Sequence, residues 1–114
     1  MRTGLPLSSV DRLRASLKLD EKEVLKVVGI SVRTFQRRRR EKRPLDAIES
    51  DRLYRLAKIE ARAVEVFQDE EKAIDWLKTP NRALGDMPIQ MLDTEAGTDM
   101  VERILARIEY GVYS

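Results

Sequence analysis

The stretch GISVRTFQRRRREKRPL, residues 29–45, decides how this chain is read. Four consecutive arginines, Arg37 to Arg40, stand in a protein whose formal net charge is only +2. From Arg33 to Arg43 there are seven bases and one acid, a net +6, while residues 1–32 carry +2 and residues 44–114 carry −6. Charge is sorted along the chain, which suggests a polyanion as partner for one part of it only.

The same stretch is punctuated as a helix pair. Just upstream, Asp20 and Glu23 form a capping box, and Leu19 with Val24 a hydrophobic staple, so a helix starts there and buries Val24, Leu25 and Val28. Gly29 stops it as a left-handed residue. Ser31 caps the next helix after two residues, and Arg43-Pro44 ends that helix, because the residue before proline is pushed out of the α region. Two short helices joined through Gly29-Ile30-Ser31 are the pattern of a helix-turn-helix. On the second helix Val32, Phe35 and the stem of Arg39 share the inward face. Arg33, Gln36, Arg37 and Arg40 point away.

In such a motif the N-terminal residues of the second helix reach base edges in the major groove. Arg33 and Arg37 suit guanine in a bidentate contact, and Gln36 suits adenine. Arg38, Arg40, Lys42 and Arg43 lie further along, where phosphates position the helix without reading sequence. A bare arginine run is commonly a solvated helix face. Here the cap, the turn and an inward Phe35 fix its orientation, which favours double-stranded DNA. RNA recognition leans on exposed aromatic side chains, and the one aromatic in this stretch is expected inside.

Outward from that stretch the periodicity is helical almost throughout, and the fold class expected is all-α. Val10, Leu13 and Leu17 mark a first helix, with Ser8 as cap and Asp11 as its reciprocal partner. The longest helix runs over about residues 46–68, with an apolar stripe of Leu53, Leu56, Ala57, Ala61, Val64 and Phe67. A short helix follows over 70–78, then a structured loop over 79–88, rich in Pro, Gly and Asn. PIQML makes one or two turns. Thr98 caps a last helix carrying Val101, Ile104, Leu105 and Ile108, and Gly111 ends it.

Composition excludes several function classes. The chain of 114 residues buries roughly two thirds of its unfolded surface, enough for a modest core. It has no Cys and no His, which removes disulfides, thiolate metal sites and the commonest general base. No phosphate-cradling glycine loop is present. No apolar run approaches the ~18 residues of a membrane span. These features predict a cytoplasmic protein with no catalytic residues, no metal and no cofactor.

Beyond residue 60 the order of features is distinctive: Trp76-Leu77, Pro80-Asn81, Ala83-Leu84-Gly85, Pro88, Leu92-Asp93-Thr94, Gly97 and Ile108-Glu109-Tyr110-Gly111. This order resembles the toxin-binding domain of the Xre/MbcA/ParS antitoxin family. The first half, with Arg33-Thr34, Arg37-Arg38 and Glu49-Ser50-Asp51-Arg52-Leu53, is similar to that family's Xre-type DNA-binding region. The resemblance implies an Xre/Cro-like helix-turn-helix bundle over residues 1–60 and a small helical toxin-binding domain over 61–114. It implies a type II antitoxin that binds and inhibits a RES-domain toxin acting on NAD and represses its own operon.

The residues assigned to DNA are then Ser31, Arg33, Thr34, Gln36, Arg37, Arg38, Arg40, Lys42 and Arg43. Those assigned to the toxin are Trp76, Pro80, Asn81, Leu84, Tyr110, Val112, Tyr113 and Ser114. The last three form an apolar-aromatic tail suited to burial in a partner. A homodimer is expected, because one helix-turn-helix reads few base pairs, with the surface around Val101 and Leu105 as its interface. Hetero-oligomers with the toxin are expected too. The alternative is a stand-alone repressor whose C-terminal half dimerises or binds a small ligand.

Overall fold

The computed structural model describes residues 4–111. Helices α1 (Ser8–Leu17), α2 (Glu21–Val28), α3 (Val32–Glu41), α4 (Ala47–Phe67), α5 (Glu70–Leu77) and α6 (Glu95–Gly111) follow in order, with a 3-10 helix at Pro88–Asp93 between α5 and α6. Among the described residues the only extended pairing is an isolated bridge between Asn81 and Asp86. The fold is all-α, as the periodicity predicts. The chain divides into two compact units, Met1–Tyr54 and Arg55–Ser114, and the division falls within α4.

In the first unit Val10 and Leu17 from α1, Val24 and Val28 from α2, and Phe35 from α3 are fully buried. The caps that begin α2 and α3 are those read from sequence. Asp20 accepts from the Glu23 amide at 2.8 Å while Glu23 accepts from the Asp20 amide at 3.2 Å. Helix α1 differs. Ser8 lies inside it, and the helix begins at Leu7 without a side-chain cap. The carbonyls of Pro6 and Leu7 accept from the Ser9 and Val10 amides, each at 3.0 Å, so the first turn is closed by backbone. Helix α3 stops at Glu41, where Lys42 turns into the left-handed region with φ 56°.

The buried line of α4 also differs from the predicted stripe. Leu53, Leu56, Ile59 and Ala63 are in the core, whereas Ala61 is exposed. Both lines follow three-and-four spacing, so periodicity alone cannot choose between them.

The second unit is organised around the 3-10 helix, whose Pro88, Ile89 and Leu92 are buried. Helix α6 starts earlier than predicted. Thr94, not Thr98, supplies the cap, its hydroxyl accepting from the Gly97 amide at 3.0 Å. Thr98 is a buried interior residue whose hydroxyl donates to the Thr94 carbonyl at 2.8 Å. Gly97 allows this because a Cβ there would sit 2.0 Å from the Met91 carbonyl oxygen. Val101 and Leu105 are fully buried within this unit, so they do not form an outer interface.

Candidate functional site

The turn between α2 and α3 is built as the sequence implies. Gly29 has φ +87°, and a Cβ added there would lie 2.3 Å from the Arg52 Nη1, which itself donates to the Val28 carbonyl at 3.2 Å. Glycine is thus required twice, for its backbone and for its missing side chain. Ile30 is buried behind the turn. Ser31 caps α3, accepting from the Thr34 amide at 3.0 Å and donating its hydroxyl proton to the Thr34 Oγ1 at 2.9 Å. Ser31 and Thr34 therefore begin as groups that hold the helix start.

Phe35 is 0% exposed and fixes which way α3 faces. Val32 does not join it inside; it is 41% exposed at the helix start. Arg33, Gln36, Arg37 and Arg40 all lie on exposed positions. Arg33, Arg37 and Arg40 make no ion pair or hydrogen bond through their side chains with a described residue. Their spacing of four and three puts them along one face. Gln36 is engaged: its carboxamide donates to the Glu21 Oε1 at 2.9 Å.

The middle of the run behaves otherwise. Arg38, assigned to phosphate from sequence, is paired with an acid of its own unit. Its Nη1 is hydrogen-bonded to the Glu49 carboxylate, and its side chain is 20% exposed. Glu49 is 8% exposed and also accepts from the Asp46 amide at 2.8 Å, completing a capping box at the start of α4. This hydrogen bond raises the Arg38 pKa further above its ordinary value, against the opposing effect of burial. Arg39 makes a two-pronged pair with Asp11 of α1, at 3.2 and 3.0 Å, and its guanidinium lies 4.8 Å from the centre of the Phe35 ring. The Asp11 hydrogen bond raises the Arg39 pKa in the same way.

Asp11, Glu21 and Glu49 were not among the predicted site residues. Glu49 has a local signal, three residues after Asp46 in a capping box, whereas the sequence pattern gives Asp11 only as a partner of Ser8.

At the C-terminal end of α3, Lys42 and Arg43 are exposed, and Arg43 lies 3.6 Å from Glu41. With Arg39, Pro6, Leu7 and Pro44 they line a recess of about 240 Å³.

In the second unit the predicted toxin-facing residues divide. Trp76 packs on Phe67 with ring centres 5.8 Å apart. Asn81 is committed to its own loop: its side-chain oxygen accepts from the Ala83 amide at 2.9 Å and the Leu84 amide at 3.3 Å. Leu84 is buried beneath that loop. Pro80 is exposed, and Tyr110 is 70% exposed. Among the described residues of this set, Pro80 and Tyr110 are thus the exposed ones. Val112, Tyr113 and Ser114 lie outside the described residues. Arg62 grips Glu109 through two hydrogen bonds, at 3.0 and 2.8 Å, and reaches Glu65 at 3.1 Å. That cluster borders a groove of about 520 Å³ between α4 and α6, with Lys58, Ala61, Glu102 and Ala106.

Among the described residues, no group of His, Cys, Asp and Glu is arranged to hold a metal ion, and no helix is long and apolar enough to cross a membrane.

Known proteins match both units. Residues 62–111 match the Antitoxin Xre/MbcA/ParS C-terminal toxin-binding domain, and residues 2–58 match the Antitoxin Xre-like helix-turn-helix domain. The chain is 36% identical over 116 residues to an Antitoxin Xre of Photorhabdus laumondii, covering all of this chain and 78% of that protein. It is 43% identical over 100 residues to an Antitoxin Xre of Pseudomonas putida, covering 83% of this chain and 63% of the relative. A Prs ADP-ribosylating antitoxin of a Sphingobium species is 29% identical over 124 residues, covering all of this chain and 78% of its own length.

Proposed function

Because the chain belongs to the Xre/MbcA/ParS antitoxin family, we propose that it neutralises a RES-domain toxin through residues 61–114 and represses their shared operon through residues 1–60. The toxin would consume NAD or use it to transfer ADP-ribose. The name of the Sphingobium relative fits the second chemistry. The protein would act in the cytoplasm, as a homodimer and in hetero-oligomers with the toxin.

The observation that carries the DNA-binding half is the free face of α3. Arg33, Arg37 and Arg40 are exposed and, among the described residues, unpaired, on a helix whose orientation Phe35 fixes. Arg33 and Arg37 lie in its first two turns, where bases are read, and Arg40, Lys42 and Arg43 follow toward the backbone. On the toxin-binding half, exposed Tyr110 and Pro80 offer contact surface, while Asn81 and Leu84 hold the loop that presents it.

Two measurements test the reading. Co-expression with the neighbouring gene product should give a stable complex in which NAD loss stops. Wild-type protein should prefer a duplex taken from upstream of its own gene over a scrambled duplex of the same length. A protein that prefers its own upstream duplex yet captures no toxin would be a stand-alone repressor.

A further inference from the structure

Resting on the DNA-binding reading, we infer that Arg38 and Arg39 are positioning residues: clamped by Glu49 and Asp11, they set the angle at which α3 presents Arg33 and Arg37 to bases, and they do not themselves bind DNA.

The two clamps come from different elements and meet α3 on adjacent residues. Asp11 belongs to α1, and Glu49 to the first turn of α4. The Arg39–Asp11 pair is a fork on a carboxylate, which fixes orientation as well as distance. The guanidinium is further confined by the Phe35 ring beneath it. The Arg38 partner is equally constrained, because one oxygen of Glu49 serves both Arg38 and the Asp46 amide. The helix is thus held on two sides by groups whose own positions are set by helix starts. A bidentate arginine–guanine contact demands such control, since rotating the helix moves Arg33 and Arg37 off the base edge. Four arginines in a row therefore contain two kinds of residue. Among the described residues Arg37 and Arg40 are unpaired at the ends, while Arg38 and Arg39 are neutralised between them.

The inference has a test in which charge and positioning predict opposite signs. Asp11→Asn and Glu49→Gln each remove an acid, so the protein becomes more basic. If Arg38 and Arg39 merely attract phosphate, freeing them should tighten every duplex and steepen the salt dependence, by up to about 0.9 in slope per freed arginine. If they position the helix, preference for the upstream duplex over the scrambled one should fall about tenfold, on the scale of one lost bidentate contact, with the salt slope unchanged.

Glu71→Gln, at an exposed position of α5 in the second unit, makes the same charge change and should leave the preference intact. Arg39→Lys keeps the charge but loses the fork. It should lower the preference as Asp11→Asn does, and the double variant should lose no more than either single one. Asp11 is surface-accessible, with its side chain 39% exposed, so Asp11→Asn serves as the primary variant and circular dichroism confirms its fold. Equal tightening on both duplexes for Asp11→Asn would overturn the inference and leave the DNA-binding proposal standing. Absence of any preference in the wild-type protein would overturn the proposal, and the inference with it.

Discussion

The two units both cap helices locally, but they differ in what their remaining polar side chains hold. In Met1–Tyr54, three acids pair across helices with side chains far away in sequence: Asp11 with Arg39 and Glu49 with Arg38 as ion pairs, and Glu21 with the Gln36 carboxamide. In Arg55–Ser114 one such pair, Arg62 with Glu109, joins α4 to α6, and the loops are held by uncharged side chains that bond backbone a few residues away: Asn81 to Ala83 and Leu84, Thr79 to Asp75, Thr94 to Gly97, Thr98 to Thr94. Long-range ionic pairing suits a helix that must be held at a fixed angle while its outer face stays free. Local hydrogen bonding suits a loop that closes on itself and becomes the surface. The difference separates orientation of a rigid element from construction of an irregular one.

The hardest way to break the comparison is to remove Phe35. Phe35→Ala should cost about 3–5 kcal/mol, because a fully buried aromatic ring leaves a cavity. Trp76 is the only tryptophan and lies in the second unit, so its fluorescence should report an unfolding midpoint less affected than that from far-ultraviolet circular dichroism. Coincident midpoints would show the units unfolding as one.

Next in size, Arg37→Ala should lose about 1–3 kcal/mol of binding to the upstream duplex and much less to a scrambled one. Fluorescence anisotropy on both duplexes decides it. Equal losses would make Arg37 a phosphate contact.

Asn81→Ala sharpens the other side of the comparison. It removes the acceptor of two loop amides and should cost about 1–2 kcal/mol in chemical denaturation, with DNA affinity unchanged.

The smallest effect concerns acid. The hydrogen bond from Arg62 holds the Glu109 carboxyl below its ordinary range. The folded pKa is therefore lower than the unfolded one. The pair's contribution is present above the unfolded pKa and disappears as pH falls through the folded one. Glu109→Gln should be slightly less stable than wild type near neutrality and match it in strong acid, as read from thermal midpoints across that range.

Much of the fold was legible because its punctuation is local. Asp20 with Glu23, Gly29 and Ser31 act within four residues of themselves, and each does what its spacing predicts. Where two residues of one type compete, sequence could not choose. Thr94 and Thr98 are one turn apart, and what selects Thr94 is the 3-10 helix packed against Gly97. Ser8 lost its role to the neighbouring carbonyls of Pro6 and Leu7, a local backbone closure that side-chain capping rules do not register. The candidate site was legible in outline only. Periodicity distinguished the face of Phe35 from that of Arg37, but it could not show which arginines meet an acid. Asp11 and Arg39 are 28 residues apart.

Helices α1 and α3 both end on a lysine in the left-handed conformation, Lys18 with φ 55° and Lys42 with φ 56°. Glycine adopts that geometry freely, whereas a residue with a Cβ holds it at a cost of about 1–2 kcal/mol. A cation at a helix C-terminus offsets part of this. An engineer seeking a more heat-resistant variant would write glycine at both positions, and a Ramachandran map would rank them alike. At Lys18, outside the recess, the exchange relieves the backbone. At Lys42 it would erase a charge from the rim of the recess beside Arg43, so the same edit would harden one helix end and blunt the other.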